Sequence, residues 1–140
     1  MKSYSEMIEL QTFRERYEYL KFDDGEVGVE TFGFNRYLNQ SLYSRSQEWK
    51  QTRRKIILRD SDLNYCFDLG SRDRIITGRI IIHHINPITK DDILNRSDCL
   101  FDPDNLVCCG FNTHNAIHYG DYTLLDFGSV TRKKGDTKLW

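Results

Sequence analysis

The stretch "GRIIIHHINP", Gly78 to Pro87, limits the fold more than any other part of the chain. Its isoleucine run is β-branched and reads as a short buried strand. Asn86-Pro87 is where such a strand ends, because proline cannot donate to a ladder. The strand closes on two imidazoles, His83 and His84. Successive strand side chains point to opposite faces, so the plain reading is one packed ring and one exposed ring. For both to serve one site, the strand must twist or end at this pair.

A second pair lies downstream in "THNAIHY", which reads as a short helix capped by Asn112 and ended by Gly120. His114 and His118 are four apart, which on a helix puts their Cβ atoms about 5–6 Å apart on one face. Two imidazoles so placed can bind one ion through metal–nitrogen bonds of about 2.0–2.1 Å. An HxxxH pair alone is weak evidence. Here, however, all 4 histidines of the chain fall into two tight pairs between His83 and His118, unlike scattered structural histidines. One imidazole of the first pair can ligate a metal while its neighbour stays free, and a free neutral imidazole takes a proton from water near pH 7. A metal beside a general base is a hydrolytic site. Spacing does not separate the roles of His83 and His84.

At 140 residues, with 39% hydrophobic and 29% charged residues, the chain suits one globular domain with a modest core. No apolar stretch reaches the length of a membrane span, and "MKSYSEMIELQTF" lacks the apolar centre of a signal peptide, so a cytoplasmic location is expected. Cys66, Cys99, Cys108 and Cys109 form no CxxC, so reduced thiols acting as small core hydrophobes are expected. The net charge of −1 conceals a basic strip of Arg45, Lys50, Arg53, Arg54, Lys55 and Arg59, with Glu48 as the single acid within it. Such a strip is either a solvated helix face or a phosphate-contact patch.

Helical signals dominate residues 1–60. Thr12 and Glu15 can form a capping box ahead of Phe13, Tyr17 and Leu20. Asn35 can cap "RYLNQSLY", and Ser46 can cap a helix from Gln47 to about Leu58 with Trp49, Thr52 and Ile56 on one face. "NYCFDLG" and "GRIIIHH" read as an antiparallel pair joined by a polar turn. A helical turn is expected near "DDILN", and "NLVCC" reads as a third strand.

In order and type, "IIIHHINP", then Asn105 in "PDNLVCC", then "THNAIH" resemble the signature of HNH nucleases. A wider likeness through "VETFGFNRYLNQSLY", "EWK" and "THNAIHYGDYTLL" resembles the small stand-alone HNH proteins of tailed bacteriophages. The resemblance implies an α+β fold: a ββα-metal (His-Me finger) module over 61–121, with a helical N-terminal extension over 1–60 and a tail over 122–140. It implies that His83, His114 and His118 bind one divalent ion (Mg, Mn, Ni or Zn), that His84 is the general base, and that Asn105 positions the base through hydrogen bonding. It further implies DNA as substrate, cleaved by nicking or on both strands, and a part in phage DNA packaging beside terminase and portal proteins.

The chain departs from many relatives in lacking two CxxC knuckles. Cys66 stands alone, and Thr113 occupies a position where a knuckle cysteine is often found. Support for the module is therefore expected from the N-terminal helices and from Trp49 and Phe67. DNA contact is expected through phosphates, from the basic strip and from Arg132, Lys133 and Lys134, with Asn115 and Tyr119 either assisting or serving only as helix surface. Two other readings stand beside this one: a defence or mobile-element nuclease on the same module, and a catalytically idle, metal-stabilised DNA-binding or adaptor module. A free base beside a metal, which an idle module has no use for, favours the enzyme.

Overall fold

Most of the described helix starts are set by short polar side chains that satisfy backbone N–H groups the helix itself leaves open. A computed structural model, which describes residues 1–22 and 40–125, carries two such starts at the expected places, Thr12 and Ser46, and one at Ser3 that the sequence reading did not mark. Ser3 caps α1 (Tyr4–Met7), and Thr12 with Glu15 forms a reciprocal capping box on α2 (Phe13–Leu20). Ser46 accepts from the Trp49 amide at 3.1 Å and opens α3 (Gln47–Arg59). Another capping box, Thr89 with Asp92, opens α4 (Lys90–Leu94), the expected turn near "DDILN". A π turn, Gln40–Ser44, precedes α3, while the Asn35 cap lies outside the described residues.

The architecture is mixed helix with a two-stranded antiparallel sheet, an α+β arrangement. β1 (Ile81–His84) pairs with β2 (Leu106–Cys109) in the register Ile81 to Cys109 and His84 to Leu106. This corrects the strand pairing expected from sequence. "NYCFDLG" is not the partner of β1; it supplies the isolated bridges Ser61 to Cys66 and Phe67 to Ile75, then breaks into a 3-10 turn over Asp68–Gly70. Asp68 explains the break. Its buried carboxylate accepts from the Gly110 amide at 3.2 Å, the Thr113 hydroxyl at 2.6 Å and Arg74 Nε at 3.2 Å, so the chain must turn to present it to the start of α5 (Phe111–Tyr119).

The sheet has a core on each face, as the two-residue period of a strand requires. Val107 and Cys109 pack with Met7, Tyr17, Leu20 and Ile117 from α1, α2 and α5. Leu106, Cys108 and Ile82 pack with Leu42, Trp49, Ile56 and Leu100. Cys66, Cys108 and Cys109 are buried free thiols in or beside these clusters, and Cys99 is half-buried, in keeping with small core side chains. α5 begins two residues earlier than expected. Gly110 is its N-cap, Asn112 lies within it, and Gly120 ends it at φ 64°. Among the described residues, no helix is long and apolar enough to cross a membrane.

Candidate metal centre and cavity

β1 and α5 bring three of the four imidazoles together. His83 lies on the sheet face covered by α5, with ring centroids 5.3 Å from His114 and 5.2 Å from His118. The Nε2 atoms of His114 and His118 are 2.9 Å apart. One ligand atom from each of His83, His114 and His118 lies within 4.8 Å of the other two, the one such donor cluster among the described residues.

His83 supplies the test of whether a metal fits. It is 1% exposed, and neither Nδ1 nor Nε2 has a hydrogen-bond partner. Leaving a buried polar group unpaired costs on the order of 1–3 kcal/mol. An ion shared with two further neutral nitrogens satisfies one of the two His83 ring nitrogens, and a three-nitrogen set suits a divalent cation. Burial holds all three rings neutral, the form that ligates. It pushes the His83 pKa well below its usual value, with the neighbouring imidazoles adding to the effect, brings His114 to about 3, and lowers His118.

His84 lies on the opposite sheet face, as strand alternation requires. Its ring stacks on Trp49, with centroids 5.3 Å apart and an interplanar angle of 23°, and Tyr43 lies 6.5 Å away. Its Nε2 is 3.1 Å from the Leu100 carbonyl. A carbonyl only accepts, so Nε2 carries the proton and Nδ1 keeps a lone pair. Burial depresses its pKa to about 4, against a smaller opposing pull from the Leu100 carbonyl and Asp92.

The two histidines nevertheless face one space. β1 is paired on a single edge among the described residues, and residues 80–84 all line a cavity of about 610 Å3. Residues from both faces of β1 line it, so His83 and His84 both reach it. Arg53 Nη2 donates to the Ile80 carbonyl at 3.1 Å on this edge, and Arg53, Arg79, Trp49, Tyr43 and Phe111 complete much of the wall.

Asn105 reaches His84 only indirectly. Its Oδ1 accepts from the Asn86 backbone N–H at 2.8 Å and from Asn86 Nδ2 at 2.9 Å, and its Nδ2 donates to the Cys99 carbonyl at 3.1 Å. The expected bond to the base is therefore replaced by a bond to the residue preceding Leu100, whose carbonyl holds His84. Asn86 also ties this corner to the N-terminus, donating to the Lys2 carbonyl at 2.7 Å.

The basic strip divides. Arg45, Lys50, Arg54 and Lys55 are exposed, and Arg53 lines the cavity. Arg59 is taken up by the fold. It donates to the Asp60 carboxylate, to the Pro103 carbonyl at 2.7 Å and to the Leu106 carbonyl at 2.6 Å, and it covers the Tyr4 ring at 3.4 Å. Arg132, Lys133 and Lys134 lie outside the described residues. Asn115 and Tyr119 sit on α5 away from the cavity wall, and Phe67 is buried.

No family model, curated protein or solved structure matches this chain. Arg79, Tyr43 and Phe111 are wall residues that sequence reasoning missed. Arg79 stands one residue before the isoleucine run, a position that could have flagged it. Phe111 is an apolar residue left 55% exposed, and no sequence signal distinguishes it from a core phenylalanine.

Proposed function

We propose that the protein is a metal-dependent DNA endonuclease of the HNH type, with β1, β2 and α5 as its ββα-metal module. The observation that carries this reading is His83, whose two buried ring nitrogens lack partners where His114 and His118 converge, one residue from a neutral imidazole on the same cavity. A divalent ion held by these rings supplies positive charge to the phosphodiester oxygens as negative charge builds on them.

The chain's own residues supply the remainder. With Nε2–H committed to Leu100, His84 takes a proton from water at Nδ1 while the water oxygen attacks phosphorus and the bond to the 3′ oxygen breaks. A pKa of about 4 makes the ring neutral at pH 7 but weakly basic; an anionic phosphate beside it strengthens the base. Trp49 and the Leu100 carbonyl hold the ring in place, and Arg53 and Arg79 offer charge to the phosphate. Lys50 and Arg54 extend that charge along α3, giving contacts that do not depend on base sequence. A role in phage DNA packaging rests on the resemblance to phage HNH proteins.

The test is supercoiled plasmid incubated with purified protein and Mg2+, Mn2+, Ni2+ or Zn2+ in turn. Nicked or linear product, abolished by chelator, is expected with at least one ion. No cleavage with any of them leaves the idle adaptor module as the better account.

A further inference from the structure

The cavity wall carries more aromatic surface than phosphate contact needs. Tyr43 is 37% exposed and Phe111 is 55% exposed, and both line the same space as the imidazoles. Phe111 is the first residue of α5, one turn before His114, so its ring is held on the rim by a helix whose inner face is buried. Pro87 and Ile88 add apolar wall, and Arg53 and Arg79 add two guanidinium groups. Phosphates are met by charged and hydrogen-bonding groups, and an apolar wall adds nothing to those contacts.

We propose that this recess takes an unstacked nucleotide, with its base against Phe111 and Tyr43 and its phosphate between Arg53 and Arg79, so that the preferred substrate is single-stranded or locally unpaired DNA. This rests on the nuclease reading and narrows its substrate. Every base has a π face, so stacking of this kind holds a strand without reading its sequence. Within an intact duplex the bases are stacked on one another, and entry requires that one be unstacked and unpaired first. The cavity of about 610 Å3 lies within the range of pockets that enclose small organic ligands, about 300–1,000 Å3. Its apolar and aromatic lining offers a base what water does not.

The experiment compares binding and cleavage of an oligothymidylate single strand, a blunt duplex of the same length and a duplex with an unpaired flap, for the intact chain with its metal. Single-strand and flap substrates are expected to bind tighter than the duplex and to be cut faster. Phe111→Leu and Tyr43→Leu should each weaken single-strand binding about 5- to 100-fold, the loss of one stacked base, and should weaken duplex binding less. Phe111→Trp should retain single-strand binding. Phe111 is exposed, so its variants are expected to fold, and thermal midpoints check this. Equal losses on single strand and duplex, or a wild-type preference for blunt duplex, overturn the proposal while leaving the nuclease intact. Failure to cut any of the three substrates with any divalent ion overturns the nuclease reading itself.

Discussion

His84 and Trp49 lie in near-parallel contact, ring planes 23° apart, which fixes the imidazole against α3 while Leu100 fixes its tautomer. The ring is on the sheet face opposite the candidate ligands His83, His114 and His118, so its loss should separate chemistry from metal binding. His84→Ala is expected to lower the cleavage rate about 10²–10⁴-fold, with metal affinity nearly unchanged by calorimetry. Matched losses of both would assign His84 to the metal instead.

His83, His114 and His118 should behave as a set. Alanine at any one of them is expected to weaken metal binding at least tenfold and to reduce cleavage with it. Excess ion should partly restore His114→Ala and His118→Ala, because the two remaining donors keep their geometry. Full wild-type activity under saturating chelator would remove the metal from the mechanism.

Arg59 and Arg54, close together in sequence, should give opposite results. Arg59→Ala removes the cation beside the buried Asp60 carboxylate, which keeps the Cys108 amide as a donor, and leaves two carbonyls without it, so it is expected to destabilise the fold by about 2–4 kcal/mol in urea titration. Arg54→Ala, on an exposed side chain, should leave stability within about 0.5 kcal/mol. It should also flatten the salt dependence of DNA binding by about 0.9 in log–log slope, one phosphate contact. An unchanged slope would mark α3 as a solvated face.

Gly120 ends α5 in the left-handed region, and a Cβ there would sit 2.6 Å from the Phe22 carbonyl. Phe22 donates its amide to the Ile117 carbonyl at 2.9 Å, and its ring meets His118 edge-on at 5.0 Å. Gly120→Ala is therefore expected to lower stability by roughly 1–3 kcal/mol and to weaken metal binding as well. A thermal midpoint equal to wild type would show that the helix end can shift.

Acid should destabilise the metal-free protein early. Unfolded imidazoles bind protons below about pH 6.5, whereas in the folded chain His84 resists until about 4, His114 until about 3, and His83 lies well below its usual value. As pH falls through that window the unfolded state binds more protons, so stability falls, by about 1.4 kcal/mol per pH unit for each of the buried His83 and His84. Urea midpoints should be flat with respect to these groups above pH 6.5 and should drop steadily toward pH 5. Constant midpoints over that range would mean that the rings are hydrated.

Local signals carried through wherever the deciding interaction is itself local. Thr12 with Glu15, Ser46 and the spacing of Trp49 and Ile56 specify helices because a capping side chain reaches only the next turn, and a 3.6-residue period selects the buried face. The HxxxH pair on α5 is legible for the same reason. Which strand pairs with β1 was decided elsewhere. "NYCFDLG" has the composition of a strand, but the buried Asp68 carboxylate must reach Gly110 and Thr113, some forty residues away, and this bends the segment out of the sheet. Sequence read Arg59 as surface charge because its partners, Pro103 and Leu106, are carbonyls that any residue could carry. The convergence of His83 with His114 and His118, the Leu100 carbonyl at His84 and the recess lined by both faces of β1 arise from packing two cores against one sheet. Such contacts depend on where distant backbone atoms come to rest, and backbone atoms have no residue type to read.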